Sequence, residues 1–234
     1  MPENNYVAIR MDWSENLNLQ QTREEEKSAY YHDITVLVKT AVIYEASGKV
    51  TAAATISDAK SHGAAAAWAS LMKILKSVGL ETMQGKQCMF VITDSPLNQY
   101  HNGAEMYLTK KYAEEHGIEV IWVFTESGHR KGPMDGVGAA LKTMADQMIE
   151  FNPGTVVTCT KELIPLLPAS NIIASTYEQA DVDIVQAKIP KKIGIMWTSF
   201  GISQVHEVRL SSSQGSSFEW KRLSADEDYT TVKF

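Results

Sequence analysis

The chain has 234 residues, 44% of them hydrophobic, which is enough for one well-buried core with a small appendage or at most two small domains. Charged residues make up 21% and the net charge is −6. This balance excludes a disordered chain and argues against a free-standing duplex-binding module, whose affinity comes from basic contacts to phosphate.

The first residues, MPENNYVAIRMDW, lack the basic and apolar regions of a signal peptide, and no apolar run is long enough to span a bilayer. An intracellular, soluble protein is expected. In chain order, residues 6–13 (YVAIRMDW) read as a strand ending in a carboxylate, followed by a polar, acidic connection. Residues 34–44 (ITVLVKTAVIY) and 50–57 (VTAAATIS) read as a hairpin around a turn at Glu45 to Lys49. Trp68, Leu71, Met72, Leu75 and Val78 recur at helical spacing over 63–78. Residues 88–93 (CMFVIT) form a short apolar run, as a strand buried on both faces does, and open on Cys88, read as a buried thiol. Cys159 lies far from it and there is no Cys-x-x-Cys pair, so neither a disulfide scaffold nor a structural zinc site is expected.

Residues 103–116 read as a helix ending at Gly117, and 118–124 (IEVIWVF) as a further buried strand. The glycine-rich GHRKGPMDGVG then runs into a helix over 133–149, with proline at its first position. Beyond Asn152-Pro153-Gly154 the pattern changes. Residues 155–170 hold a short strand and a helical turn in KELIPLLP. VDIVQAKI, IGIMWTSFGISQVHEVRL and SFEWKRL look β-like, and ADEDYTTVKF looks like a mobile acidic tail.

The order β-β-β-α-β-α-β-α is that of a ribonuclease H-like α/β fold. The expected architecture is a mixed five-stranded sheet flanked by helices over 1–152, a small C-terminal β-rich lobe over 153–224 packed on that core, and the tail over 225–234. In that order strands one and four are neighbours. Asp12 and Asp94 at their ends would stand side by side, and the helix after the fifth strand would bring up Asp135. Clustered carboxylates repel unless a cation sits among them, and Mg2+ or Mn2+ prefers such hard oxygen ligands. Two ions roughly 3.5–4 Å apart can activate an attacking oxygen and stabilise the leaving one in a phosphodiester. The opposing reading of a strand-end aspartate is a solvated loop cap.

His129, Arg130 and Lys131 supply potential phosphate contacts in the glycine-rich loop, and Lys142 follows two turns beyond Asp135. The loop lacks Gly-Lys-Ser/Thr, so it is not a P-loop; its plain reading is a tight strand-to-helix turn. Gln99 and Asn102 could line a substrate groove, or belong to a capped loop entering the next helix. Glu15 and Glu24 to Glu26 read as a solvated face from which one residue could join the site. His62, His101 and His206 read as isolated histidines, and Trp122, Trp197 and Trp220 as packing residues.

Taken as a set, these segments resemble a family of transposon-derived ribonuclease H-like proteins of animal genomes. The residues that carry the resemblance are DWSEN (Asp12 to Asn16), EEKSA (Glu25 to Ala29), DAKSH (Asp58 to His62), TDS (Thr93 to Ser95), QYHN (Gln99 to Asn102), HRKGPMDGVG (His129 to Gly138) and Lys142. The match covers about the first 145 residues. It implies metal-dependent phosphodiester chemistry, with Asp12, Asp94 and Asp135 as ligands of Mg2+ or Mn2+ and His129 either supporting a ligand from behind or facing the phosphate. It also implies a nucleic-acid partner and a nuclear location. Ser95 and Arg130 stand where the family has glycine, and no glutamate interrupts the helix GAAAAWASLMKILK, where cellular ribonuclease H enzymes carry one. These departures keep a second reading open: a domesticated, silent domain serving as a nucleic-acid or protein interaction platform, alone or as a homo-oligomer, for example in transposon silencing.

Overall fold

The computed structural model of the chain describes residues 5–19, 34–94, 100, 102–125, 132–152, 157, 159–191, 205–215, 217–223 and 225–233. All five expected strands form: β1 (Tyr6–Trp13), β3 (Ile34–Glu45), β4 (Val50–Ser57), β5 (Cys88–Asp94) and β6 (Glu119–Thr125). A short strand, β2 (Leu17–Leu19), lies in the acidic connection and pairs with β3. The helices are α1 (Ala64–Ser77), α2 (Gly103–His116), α3 (Pro133–Phe151), α4 (Thr160–Leu163) and α5 (Gln179–Lys188).

Local chemistry explains the boundaries. Gly117 ends α2 in the left-handed region at φ 64, a conformation that costs glycine nothing. Pro133 opens α3, where its missing N–H is no loss.

The sheet is larger than the five strands expected. Its order is β10-β9-β8-β6-β5-β1-β3-β4-β7, where β7 is Ile172–Thr176, β8 Glu207–Ser211, β9 Ser217–Lys221 and β10 Thr230–Lys233. A five-stranded sheet would end on β6 and β4, each with a row of open N–H and C=O groups. The C-terminal residues cover both edges: β8 pairs antiparallel with β6, and β7 pairs parallel with β4. What was expected as a β-rich lobe packed on the core is therefore, among the described residues, an extension of the core sheet. Thr230–Lys233, expected within a mobile tail, pairs with β9.

VDIVQAKI is likewise corrected. Residues 182–188 belong to α5, not to a strand. The overlooked signal is the capping box, in which the Asp181 carboxylate accepts the Glu178 N–H at 2.9 Å. Val182, Val185 and Ile189 then fall on one helix face, against the core. The expected strand segment 193–204, with Trp197, lies outside the described residues.

Three layers result. On one face Val7, Ile9, Met11, Val91, Val120 and Trp122 pack under α1 and α2. On the other, Val36, Val38, Val42, Ala54 and Ile56 pack under Val137, Leu141, Ala145 and Met148 of α3. Among the described residues no helix is long and apolar enough to cross a membrane.

Candidate acidic site at the strand ends

β1, β5 and β6 run parallel at the centre of the sheet. Open α/β sheets bind ligands at the carboxyl ends of such strands. The β1–β5 register runs from Tyr6 opposite Cys88 to Arg10 opposite Ile92. Carried two residues further, it sets Asp12 against Asp94. Burial, followed by repulsion from the Asp12 carboxylate, pushes Asp94 up to about 6. Asp94 Oδ1 is buried without a hydrogen-bond partner. Asp12 is also raised, first by burial and then by Asp135, although Oδ1 accepts the Trp13 N–H at 2.7 Å and Lys39 and Arg10 favour the charged form.

Asp135 is therefore within electrostatic reach of Asp12, but its carboxylate already has a local partner. Oδ2 accepts the Gly132 N–H at 2.6 Å and closes the first turn of α3. The plain alternative for a strand-end or helix-start aspartate, a cap, thus applies to Asp135.

Among the described residues, parts of the segments that carried the family resemblance meet in space. Lys142 Nζ lies 2.8 Å from Glu15, across 127 positions of sequence. A Cβ on Gly138 would fall 2.4 Å from Ser14 Oγ, so glycine lets α3 settle against the DWSEN segment. A Cβ on Gly132 would come within 3.2 Å of the Arg10 guanidinium. His62 of DAKSH is not isolated: its ring meets that of Trp13 edge-on at 5.0 Å. Asp58 accepts both the Thr160 N–H (3.1 Å) and its hydroxyl (2.9 Å), tying α4 to the end of β4.

Other expectations divide. Asn102 caps α2, its side chain accepting the Glu105 N–H at 3.0 Å, which is the capped-loop alternative. Lys142 is engaged by Glu15. Gln99, His129, Arg130, Lys131, Ser95, His101 and Glu24 to Glu26 lie outside the described residues. Trp122 is core, its indole N–H donating to Thr93 Oγ1 at 2.9 Å. Cys88 is a buried free thiol.

Sequence reasoning missed the interior of the site. Lys39 is fully buried in β3, its Nζ donating to the Ala67 carbonyl at 3.1 Å. That Nζ stands 4.8 Å from the Tyr100 ring centre and 5.2 Å from that of Trp13. Burial brings its pKa down to about 7 against the opposing pull of Glu105, Asp12 and Asp94. Glu105 of α2 is also fully buried, and burial raises its carboxyl well above the usual range. Neither of its oxygens completes a hydrogen bond, although the Trp68 indole faces it and favours the charged form. The Tyr100 hydroxyl is buried without a partner as well. A lysine in the middle of ITVLVKTAVIY was the available signal for this interior.

As a metal site the arrangement fits in part. Asp12 and Asp94 offer neighbouring hard oxygens that repel one another, and Asp94 Oδ1 is unsatisfied. Among the described residues, however, no group of three or more His, Cys, Asp or Glu side chains is placed to share an ion. A cavity of about 580 Å³ lies at the opposite end of β5 and β6, lined by Tyr6, Cys88, Phe90, Glu119 and Arg209 among others, and is separate from the aspartates.

Residues 2–224 match the model of the family described as "Domain of unknown function (DUF8701)". The chain belongs to that family. Comparison with curated proteins and with solved structures gives no match. The DUF8701 match covers β1 through β9, so the family unit takes in β7, β8 and β9 but not the edge strand β10, and it is longer than the 145 residues that carry the motif resemblance.

Proposed function

We propose that this DUF8701 chain is a ribonuclease H-like, transposase-type domain that acts on nucleic-acid phosphodiesters with Mg2+ or Mn2+ at Asp12 and Asp94. The observation that carries the reading is that Asp12 and Asp94 stand on neighbouring parallel strands at their carboxyl ends, where open α/β sheets act on ligands, with Asp135 within electrostatic reach of Asp12 but not grouped with the pair as a third ligand. The adjacency of β1 and β5 supports the fold assignment. A bound divalent ion would supply activation of the attacking oxygen and stabilisation of the leaving one.

The chain's own residues supply the frame. Trp13 N–H fixes one oxygen of Asp12. The Gly138–Ser14 approach and the Lys142–Glu15 pair hold α3 over the end of β1, which keeps Asp135 near Asp12. Asp135 Oδ2 accepts the Gly132 N–H, so Oδ1 is the oxygen it would offer to the ion. Arg10, beside Gly132 on the Asp12 side, is placed to meet a phosphate oxygen. A nuclear location follows from this reading.

A silent domain that binds nucleic acid or protein is the second reading. It is favoured by the commitment of Asp135 to its helix cap and by the net charge of −6. Cleavage of labelled single-stranded and duplex DNA and RNA in Mn2+ separates the two. The first expects cleavage that Asp12→Ala abolishes. Mn2+ binding without cleavage of any substrate selects the second, and Mn2+ that neither binds nor stabilises the protein refutes the metal site.

A further inference from the structure

We propose that the cavity on the sheet face over β5, β6 and β8 is a binding site for a small organic cation, a protonated or alkylated amine carried on an apolar body. The cavity is separate from the aspartates, and the proposal does not rest on the metal reading.

The sheet register builds the cavity. Tyr6 stands opposite Cys88, and Cys88 opposite Glu119. Two residues further along, Phe90 stands opposite Ile121, and Ile121 opposite Arg209. Val123 and Glu207 form the next pair. Side chains two apart in a strand share a face, so these residues point away from the core cluster of Val7, Met89, Val120 and Leu210 that packs with α1 and α2. On their own face α3 packs over β3 and β4, against Val36, Val38, Val42, Ala54 and Ile56. The other half of that face carries a space of about 580 Å³, the size of a small-molecule site.

The lining selects the ligand's chemistry. Phe90, Ile121 and Val123 give an apolar floor. The Tyr6 ring meets that of Phe90 edge-on at 6.1 Å, an aromatic corner whose ring faces attract cations. Two carboxylates, Glu119 and Glu207, line the space against one guanidinium, that of Arg209. Arg209 is itself shared: Nε lies 3.3 Å from Glu119, Nη1 lies 3.8 Å from Glu219, and the guanidinium stands 4.4 Å from the Tyr229 ring centre. Lys221 is directed onto the same ring at 4.3 Å. Glu207 accepts the Tyr229 hydroxyl. A carboxylate offers about four lone-pair sites, so Glu119 and Glu207 both keep acceptor capacity. The charge left over is negative. Its effect reaches Cys88, where burial, followed by Glu119 in excess of Arg209, pushes the thiol up to about 12. An anion would meet that excess, and a neutral ligand would leave it unmatched. An ammonium group on an apolar body matches both the floor and the charge.

The test is calorimetric titration of the full chain with three probes that share one ring: 2-phenylethylamine, phenyltrimethylammonium and phenylacetate. The two cations should bind with dissociation constants in the millimolar range or tighter, and phenylacetate at least about tenfold more weakly. Glu119→Gln should weaken both cations by about tenfold. Val123→Trp, which fills the floor, should abolish their binding and serves alone where Glu119→Gln does not fold. Binding of neither cation, equal binding of phenylacetate, or cation binding that both variants leave unchanged overturns the proposal. A chain that sediments as a dimer and becomes monomeric with Phe90→Glu also overturns it, in favour of a second copy seated on this face.

Discussion

Gly136 and Gly138 lie two residues apart on α3 and differ in what surrounds them. A Cβ on Gly136 meets nothing within 4 Å, whereas one on Gly138 falls 2.4 Å from Ser14 Oγ and 3.1 Å from Ser14 Cβ. Replacing glycine by alanine in a helix gains up to about 1 kcal/mol in either position. At Gly136 that gain should appear as added stability. At Gly138 it is opposed by overpacking against Ser14, which typically costs about 1–3 kcal/mol. Gly138→Ala should therefore be less stable than Gly136→Ala by about 1–3 kcal/mol. For a chain of 234 residues each kcal/mol moves Tm by roughly 2–4 °C, so the two melting points should differ by about 2–12 °C. Urea and thermal unfolding followed by circular dichroism, without metal, read this directly. Ser14→Gly in the Gly138→Ala background removes both opposing atoms and should close most of the gap. Two alanine variants that melt together, or a gap that Ser14→Gly leaves open, would show that α3 does not rest on the DWSEN segment as described.

Asp135→Ala removes the carboxylate bonded to the Gly132 N–H and should cost about 0.5–1 kcal/mol in metal-free protein; an unchanged urea midpoint would dismiss the cap. Asp94 is held up at about 6 by burial and by Asp12, so the folded state binds its proton more tightly than the unfolded chain. Its contribution to stability is full below the free-aspartate value of 3.8 and is lost as pH rises through about 6. Asp94→Asn should flatten that fall, and an Asn profile that parallels wild type between pH 4 and 6 contradicts the close placement of Asp12 and Asp94. Burial pushes the Cys88 thiol up to about 12, so a thiol reagent at pH 8 should label Cys159 in the folded protein and Cys88 only with unfolding. Rapid labelling of Cys88 under native conditions would refute its place in β5.

What the sequence determined by itself is local. Alternation and β-branched runs marked the five central strands, the alanine-rich helical spacing marked α1, and Gly117 and Pro133 marked helix boundaries through their own backbone chemistry. Asp12 and Asp94 could be read as strand ends for the same reason. Where two local signals competed, as in VDIVQAKI, the apparent alternation hid a capping box, and the segment folds as α5.

The tertiary structure decided everything that depends on partners distant in the chain. Strand edges accept whichever segment reaches them, so the joining of β8 to β6 and β7 to β4 is not written in either segment's own hydropathy. Glu105 sits in the polar-looking helix GAEMYLTKKYAEEH and Lys39 in an apolar strand, yet both are fully buried. Their burial follows from α1, α2 and β3 closing over one interior, and burial is the first cause that pulls the lysine down and pushes the carboxyl up. The three aspartates were legible one by one in the sequence. The burial of Lys39 against Trp13, and the helix cap that holds the third, exist only once the sheet has formed.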